Sequence, residues 1–210
     1  MIQSHSDDTD ALSATVAQKT VPTATVRVRP AHRTREMTAA ALVTSLLVAA
    51  SWVTIPLGTV PVTLQVFVVV LASLLLRPGW AAAALGVYLL MGAAGLPVFS
   101  NGTGGFGVLA GPTGGYLIGF LVAAPVGAGF RLALRRAGIA RGLADSAAVV
   151  TDIAIIYLLG WMQLSLVANM GPAPAFIAGV APFLVPDAIK GIVAITVATG
   201  VRRALGNDTL

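Results

Sequence analysis

Hydrophobic residues dominate the chain from Met37 onward, and only short polar or Gly- and Pro-rich segments interrupt them. Apolar runs of about 20 residues are typical of helices that cross a membrane. We therefore expect an all-α membrane protein in which residues 37–203 form one domain of six transmembrane helices. The predicted spans are 37–54, 61–76, 80–95, 113–133, 144–168 and 176–200.

Residues 1–36 have a different pattern. They are polar, rich in Ser, Thr and Asp, and lack the apolar run of a signal peptide. We expect a disordered cytoplasmic tail over 1–36 and a short cytoplasmic tail over 204–210. His5 and His32 are isolated, which favours solvated side chains over a metal site.

The composition narrows the classes of function. Hydrophobic residues make up 57% of the chain and charged residues only 10%, which leaves little room for a soluble domain. Cysteine is absent, which excludes disulfides, thiolate metal sites and cysteine nucleophiles. The sequence also has no ATP-binding motif and no histidine in the predicted spans. We expect no catalytic residues, metal, cofactor or nucleic-acid partner, and hence no enzyme.

Positive charges predict the orientation in the membrane. The chain has 13 Lys and Arg residues. All except Lys190 fall in the amino-terminal tail, between spans two and three, at the end of span four or between spans four and five, or after span six. Under the positive-inside rule these segments face the cytoplasm, so both termini are expected inside and three uncharged connections outside.

Two opposite charges, Asp187 and Lys190, lie three residues apart within the last apolar span. A charge at membrane depth costs about 3 kcal/mol, so each one needs a partner, a wet cavity or a ligand. A spacing of three places both on one helix face, where they would offer an acceptor and a cationic donor to a bound molecule. The alternative is a buried ion pair between helices.

Spans two and three are short, and Gly- and Pro-rich backbone follows at their outer ends. Irregular backbone at membrane depth must be buried in protein or line a cavity, which predicts an outward-facing pocket above Asp187 and Lys190. Asn101, in the Gly-rich connection 97–115, and Tyr116 are candidate inward-facing side chains. The alternatives are a turn cap for Asn101 and a place at the membrane interface for Tyr116.

Asp152, in span five, is a third acidic residue at membrane depth. It could bond Thr or backbone groups nearby, pair with an arginine, or take part in proton coupling. A structural role is favoured.

Span one carries small residues at every fourth position, namely Ala41, Ser45 and Ala49. Such a stripe lets another helix approach closely. From the residues alone, packing within the protein is the favoured role, because alanine is abundant throughout the chain.

Several sequence blocks, in the order in which they occur, resemble the BioY family. These proteins are the biotin-specific substrate-binding (S) components of energy-coupling factor (ECF) transporters. The resemblance covers about residues 37–203 and implies a six-helix membrane bundle with a substrate cavity open to the outside, in the cytoplasmic membrane of a prokaryote. The blocks are PVTLQ (61–65), GLPVF (95–99), NGTGGFG (101–107), GPTGGYLIGF (111–120) and PDAIK (186–190).

The resemblance implies that the ligand is biotin, which has a ureido ring at one end and a valerate carboxylate at the other. Lys190 would supply a cation to the carboxylate, while Asp187 and Asn101 would bond the ureido group. Some family members are expected to have a second cation after the Gly-rich segment, where this chain has none. The Tyr116 hydroxyl is a candidate replacement, and Gln65 is a further candidate for a ligand hydrogen bond or a gate.

The resemblance also favours a docking role for Ala41, Ser45 and Ala49, because S components dock through small residues of their first helix. The implied partners are a transmembrane coupling (T) subunit and two ATPase subunits, which alone would use ATP, or else a further copy of the chain. Two other functions stay open. One is an S component for another vitamin, such as pantothenate or a thiamine precursor, and the other is a membrane structural or assembly protein without a ligand.

Overall fold

The computed structural model describes residues 31–56 and 60–206. Apart from Ala31, these residues belong to one unit, His32–Leu210. Most of the predicted amino-terminal tail, including His5, lies outside the described residues, as do the last residues of the predicted carboxy-terminal tail.

Helices make up most of the described residues, so the prediction of an all-α protein is confirmed at the level of class. A two-residue antiparallel hairpin, β1 (Thr54–Ile55) with β2 (Val62–Thr63), and the 3-10 turns Ser100–Gly102 and Ala181–Phe183 connect some of them. The α-helices are α1 (Ala31–Trp52), α2 (Gln65–Leu75), α3 (Pro78–Ala93), α4 (Phe106–Ala110), α5 (Gly114–Arg136), α6 (Arg141–Val167), α7 (Pro172–Gly179) and α8 (Leu184–Ala204).

Three segments of the described chain are long and apolar enough to cross a membrane: α5, α6, and the region Pro172–Ala204 that contains α7 and α8. Helices α2 and α3 are also apolar, but they have only 11 and 16 residues. At 1.5 Å per residue, 11 residues span about 16 Å, roughly half of the hydrocarbon core. The expectation that these two helices are short therefore agrees with the structure.

The structure differs from the prediction both at the amino-terminal tail and in the last span. Helix α1 begins at Ala31, so residues 31–36, which the sequence pattern assigned to the tail, are helical. The predicted span 176–200 is not continuous, because the chain leaves the α-helical path between α7 and α8. Pro182 lies at this break, where it cannot donate the backbone hydrogen bond that a continuous helix requires.

Helices α5 and α6 pack closely because glycines on α5 leave room for the backbone of α6. A Cβ atom on Gly115 would overlap the carbonyl oxygen of Leu159. A Cβ atom on Gly119 would lie only 3.0 Å from Cα of Ile156. Small residues at this spacing let van der Waals contact hold helices together in lipid, where the hydrophobic effect contributes little to helix association.

The short helix α2 ends inside the bundle, where its last carbonyl groups need hydrogen-bond donors. Arg131 of α5 donates from Nε to the carbonyl oxygen of Ser73 at 3.3 Å. Arg202 of α8 donates from Nη1 to that of Leu74 at 3.1 Å and pairs with Asp145 at 2.5 Å. Two arginines from long helices thus bond carbonyl groups in the last turn of this short helix.

Asp152 of α6 is fully buried and joins α6 to α2. Its Oδ2 accepts a hydrogen bond of 2.5 Å from the Ser73 hydroxyl, and its carboxyl group occupies the space that a Cβ atom on Gly127 would need. This contact is with a serine hydroxyl, which was not among the partners weighed from the sequence. It fits the structural role that the sequence favours.

Candidate functional site

A cavity lies among α2, α5, α6 and α8, next to the segment that precedes β2 and to the Gly-rich segment. Its free volume is about 60 Å³. Apolar and aromatic side chains form most of its wall and a few polar groups converge on it, as is typical of small-molecule sites. The lining residues are Val60, Pro61, Thr63, Gln65, Val66, Ser100, Val108, Thr113, Tyr116, Leu117, Phe120, Ile156, Tyr157, Phe183, Asp187 and Lys190.

Asp187 lies in the first turn of α8, directly after the break in the last span, and is buried. Both of its carboxylate oxygens have partners. The Tyr157 hydroxyl donates to Oδ2 at 2.8 Å, and Nζ of Lys190 donates to Oδ1 at 2.7 Å. Because the amino-terminal end of a helix carries partial positive charge, it further stabilises a carboxylate there. The break between α7 and α8 therefore places a stabilised acceptor at the cavity wall.

Lys190 connects α8 to the β hairpin as well as to Asp187. Its Nζ donates to the carbonyl oxygen of Thr63 at 2.8 Å, and its side chain is 13% exposed. An ammonium group has three donors, and in the described part of the chain Asp187 and Thr63 are its two acceptors. The ion pair that the sequence analysis weighed against a ligand site is present. The pair lines a cavity, and one ammonium donor has no acceptor among the described residues.

Tyr157 is a site residue that the sequence analysis did not identify. It lies on α6, lines the cavity and bonds Asp187, which is 30 residues further along the chain. One signal was available in the sequence, since all three tyrosines of the chain lie in apolar segments. A buried tyrosine hydroxyl usually requires a hydrogen-bond partner. The identity of that partner depends on how α6 and α8 pack, which the sequence pattern does not specify.

Gln65, at the start of α2, lines the cavity and is tied to α3. Its Nε2 donates to the Tyr88 hydroxyl, which in turn donates to the carbonyl oxygen of Val98 at 2.9 Å. The backbone N–H of Gln65 bonds Oγ1 of Thr63 at 3.3 Å. These bonds hold the amide at a fixed place in the wall, which suits a ligand contact better than a mobile gate.

Tyr116, at the start of α5, also lines the cavity, but its hydroxyl proton is already used. The hydroxyl donates to the carbonyl oxygen of Gly179 at 2.7 Å, at the end of α7. The ring lies against Gly160, where a Cβ atom would overlap it. In this conformation Tyr116 supplies an aromatic wall and an acceptor oxygen, and it has no proton left to donate to a carboxylate.

Asn101 lies next to the cavity without lining it. It is exposed, within the turn Ser100–Gly102, and has a left-handed backbone with φ of 59°. Asparagine tolerates this conformation better than most residues do. Ser100 and Thr113, from the two ends of the Gly-rich segment, line the cavity in its place. The turn role that the sequence analysis offered as an alternative fits this geometry.

The small residues of α1 form a separate surface. Ala41, Ser45 and Ala49 are exposed, whereas Val43 and Leu47 of the same helix are buried. The Ser45 hydroxyl bonds the carbonyl oxygen of Ala41 at 3.0 Å, so the stripe presents few free polar groups. This exposed face is what a partner helix would need in order to approach closely.

The cavity is lined by groups that are suited to binding a small molecule. Its polar groups are an acceptor carboxylate, a cationic donor, a phenol and an amide, set in an apolar wall. Within the described ranges, no three His, Cys, Asp or Glu side chains come together in a group that could hold a metal ion. The arrangement suits a small molecule that has both donors and acceptors on a compact apolar frame.

Two curated proteins are similar in sequence to this chain over most of its length. The probable biotin transporter BioY of Pyrococcus horikoshii is 37% identical over 166 residues, which are 79% of this chain and 95% of that protein. The biotin transporter BioY of Thermotoga maritima is 41% identical over 169 residues, which are 80% of this chain and 96% of that protein.

The fold is similar to that of a crystal structure of the S-component for biotin from an ECF-type ABC transporter. The TM-score is 0.76 at 24% identity, over 82% of this chain and 93% of that one. The sequence profile of the BioY family matches residues 17–207. The resemblance carried by the five sequence blocks is thereby confirmed, and the chain belongs to the BioY family.

Proposed function

We propose that the chain binds biotin in the cavity beside Asp187 and Lys190 and imports it as the S component of an ECF transporter. One observation carries this proposal: an acceptor carboxylate and a cationic donor, 2.7 Å apart, line a largely apolar cavity. The relatives bear the name biotin transporter, which supports transport over catalysis. As expected from the absence of an ATP-binding motif, ATP would be used only by partner subunits.

The contact between Asp187 and Lys190 favours one end of biotin over the other. A ureido group presents N–H donors and a C=O acceptor side by side, so an adjacent carboxylate and ammonium match it. A ligand carboxylate placed at Lys190 would lie close to the Asp187 carboxylate, which repels it. We therefore assign both residues to the ureido ring, whereas the family resemblance had implied that Lys190 binds the carboxylate.

The valerate carboxylate then needs other donors. Ser100 and Thr113 of the Gly-rich segment line the cavity, and each carries a hydroxyl that can donate. The sequence has no Lys or Arg from 78 to 130, so this end of biotin would be held by neutral donors. Asn101, next to Ser100, would join them if the turn Ser100–Gly102 rearranged on binding.

Biotin binding would require the cavity to expand. Its free volume of about 60 Å³ is well below the roughly 300 Å³ at which small-molecule pockets usually begin. The bond from Lys190 to Thr63 ties α8 to the β hairpin, so its release would let the hairpin move away from the cavity. We propose that the hairpin and the Gly-rich segment move apart to admit biotin and then close over it.

The membrane arrangement is part of the same proposal. Besides α5, α6 and the region Pro172–Ala204, the helices α1, α2 and α3 would supply three further crossings. Arginines cluster at one end of the bundle, which the positive-inside rule assigns to the cytoplasm, so both termini would lie inside. The cavity lies on the side of Asp187 that faces away from the arginine-rich end, so it would open to the outside.

The exposed stripe Ala41, Ser45 and Ala49 is the proposed docking surface for a transmembrane coupling subunit that two ATPase subunits drive. Its exposure supports this role over packing within the protein, which the residues alone had favoured. Association with a further copy of the chain is the alternative use of the same face.

Calorimetric titration of the purified protein with biotin, pantothenate and thiamine tests the proposed ligand. Saturable heat with biotin alone is expected. Binding of another vitamin instead would keep the fold and the transporter class but change the substrate. If none of the three binds, the chain would fit a structural or assembly role.

A further inference from the structure

A second cavity lies at the arginine-rich end of the bundle, between the α2–α3 turn and the end of α5. Its free volume is about 380 Å³, several times that of the cavity beside Asp187. Three guanidinium groups line it, from Arg77, Arg131 and Arg136. The site contains no residue that the biotin proposal uses.

The second cavity carries an excess of positive charge. None of its lining residues, all in the described part of the chain, is acidic. Glu36 contacts Arg77 from outside the cavity, with Oε1 at 3.2 Å from Nε. Asp145, outside the lining, pairs with Arg202 and also attracts Arg131. With Arg202 included, four guanidinium groups face two carboxylates, which leaves an excess of two positive charges. Arg131 is buried, while Arg77 and Arg136 are exposed, so the charge extends from the interior to an accessible mouth.

The rest of the lining is apolar. Leu75, Leu76 and Leu132 face the same cavity as the arginines. A guanidinium group matches a phosphate oxygen pair with two parallel hydrogen bonds. A free phosphate would use the arginines but would have no contact with the leucines. A phospholipid uses both, because its phosphate lies next to a glycerol and acyl chains.

We propose that the second cavity binds the phosphodiester head group of an anionic phospholipid, with the start of the acyl chains along the leucines. Basic pockets between transmembrane helices can take up such head groups, because each nearby Arg attracts the negative charge of the phosphate. The site lies where the apolar helix α5 ends in charged residues, which is the depth of the head groups.

Gly129 keeps the cavity open. It lines the cavity, and a Cβ atom on it would lie 3.8 Å from Cγ of Pro78, in ordinary contact. A leucine at this position would extend into the free volume without a change in charge. Gly129→Leu therefore tests the cavity itself, separately from the surface charge.

Native mass spectrometry of the full chain in detergent, with phosphatidylglycerol and phosphatidylcholine of identical acyl chains, provides the test. Wild-type protein should bind phosphatidylglycerol at least fivefold more tightly. Arg77→Gln with Arg136→Gln, and separately Gly129→Leu, should remove this preference. The matched control is Arg203→Gln, which removes an exposed positive charge from the same end of the bundle and should keep the preference.

Three results would overturn the proposal. Equal binding of the two lipids would show that the site does not recognise the charge of the head group. If both cavity variants keep the full preference for phosphatidylglycerol, the lipid binds elsewhere. Displacement of phosphatidylglycerol by equimolar inorganic phosphate would show that the site takes free phosphate rather than lipid. Retained biotin binding in each variant would verify that the fold is intact.

Discussion

The Tyr157 hydroxyl donates a 2.8 Å hydrogen bond to Oδ2 of Asp187 and so links α6 to the cavity-lining turn of α8. Lys190 occupies the other carboxylate oxygen at 2.7 Å. With both oxygens bonded, the carboxylate is held in one orientation at the cavity wall. A carboxylate has further lone pairs, so it can still accept an N–H group from a ligand.

Removal of that hydroxyl should weaken biotin binding without loss of the fold. A hydrogen bond to a charged group contributes about 1.5 to 3 kcal/mol, and 1.4 kcal/mol corresponds to a tenfold change in affinity. For Tyr157→Phe we expect about a tenfold weaker Kd for biotin, measured by titration calorimetry, with a Tm within a few degrees of wild type. Unchanged affinity would mean that Tyr157 does not position Asp187 for the ligand.

The close contact between Gly160 and the Tyr116 ring predicts a sharp difference between two glycines of α6. A Cβ atom on Gly160 would overlap the ring, whereas one on Gly142 has no atom of a neighbouring element within 4 Å. We expect Gly160→Ala to destabilise the protein by about 1 to 3 kcal/mol through overpacking. Gly142→Ala should be neutral or slightly stabilising, because alanine favours a helix. Thermal unfolding in detergent compares the two, and equal Tm values would contradict the packing.

Arg202 and Arg203 are neighbours with opposite environments. Arg202 is 1% exposed, pairs with Asp145 and bonds the end of α2, while Arg203 is exposed. Arg202→Met would remove the ion-pair partner of the buried Asp145 carboxylate and a donor to the end of α2, which costs about 3 to 5 kcal/mol. Arg203→Met should change stability by less than about 0.5 kcal/mol. Denaturation of the two variants side by side measures the difference, and similar losses would argue against a buried pair.

Part of this fold follows from local sequence pattern, and part does not. The helical class, the short helices α2 and α3 and the shared face of Asp187 and Lys190 all depend on hydrophobicity and spacing over a few residues. The break between α7 and α8 was missed, because Pro182 interrupts the backbone hydrogen bonds without changing the hydropathy of the span. The β hairpin was missed as well, since two-residue strands leave no periodic signal.

The site shows the same division. Asp187, Lys190 and Tyr116 line the cavity, and buried charge or position next to irregular backbone is enough to predict them. Gln65 also lines it, but only the family resemblance points to that residue. Tyr157 was not selected, because its partner is 30 residues away and only helix packing brings the two together. The local backbone of Asn101, with φ of 59°, determines where its side chain lies, and composition alone does not predict that angle.

The exposed stripe on α1 should matter for transport and not for capture of biotin. Ala41→Trp or Ser45→Trp would block close approach of a partner helix, so we expect a strong loss of biotin uptake in cells with biotin binding unchanged in the purified variant. Leu42→Trp, at an exposed site beside the stripe, is the matched control and should preserve uptake. Loss of binding in the stripe variants would instead indicate packing within the protein.

Recognition of the ureido ring by Asp187 and Lys190 is the central claim, and calorimetry with biotin and neutral biotin amide tests it most directly. Both ligands have the same ureido ring. Lys190→Ala and the shape-preserving Asp187→Asn should therefore each lower the affinity for both ligands by similar factors. We expect factors of at least about tenfold, as for hydrogen bonds to charged groups. If Lys190→Ala lowers the affinity for biotin but not for the amide, the ammonium group lies at the carboxylate end. Unchanged affinity for both ligands in both variants would show that Asp187 and Lys190 are not part of the binding site.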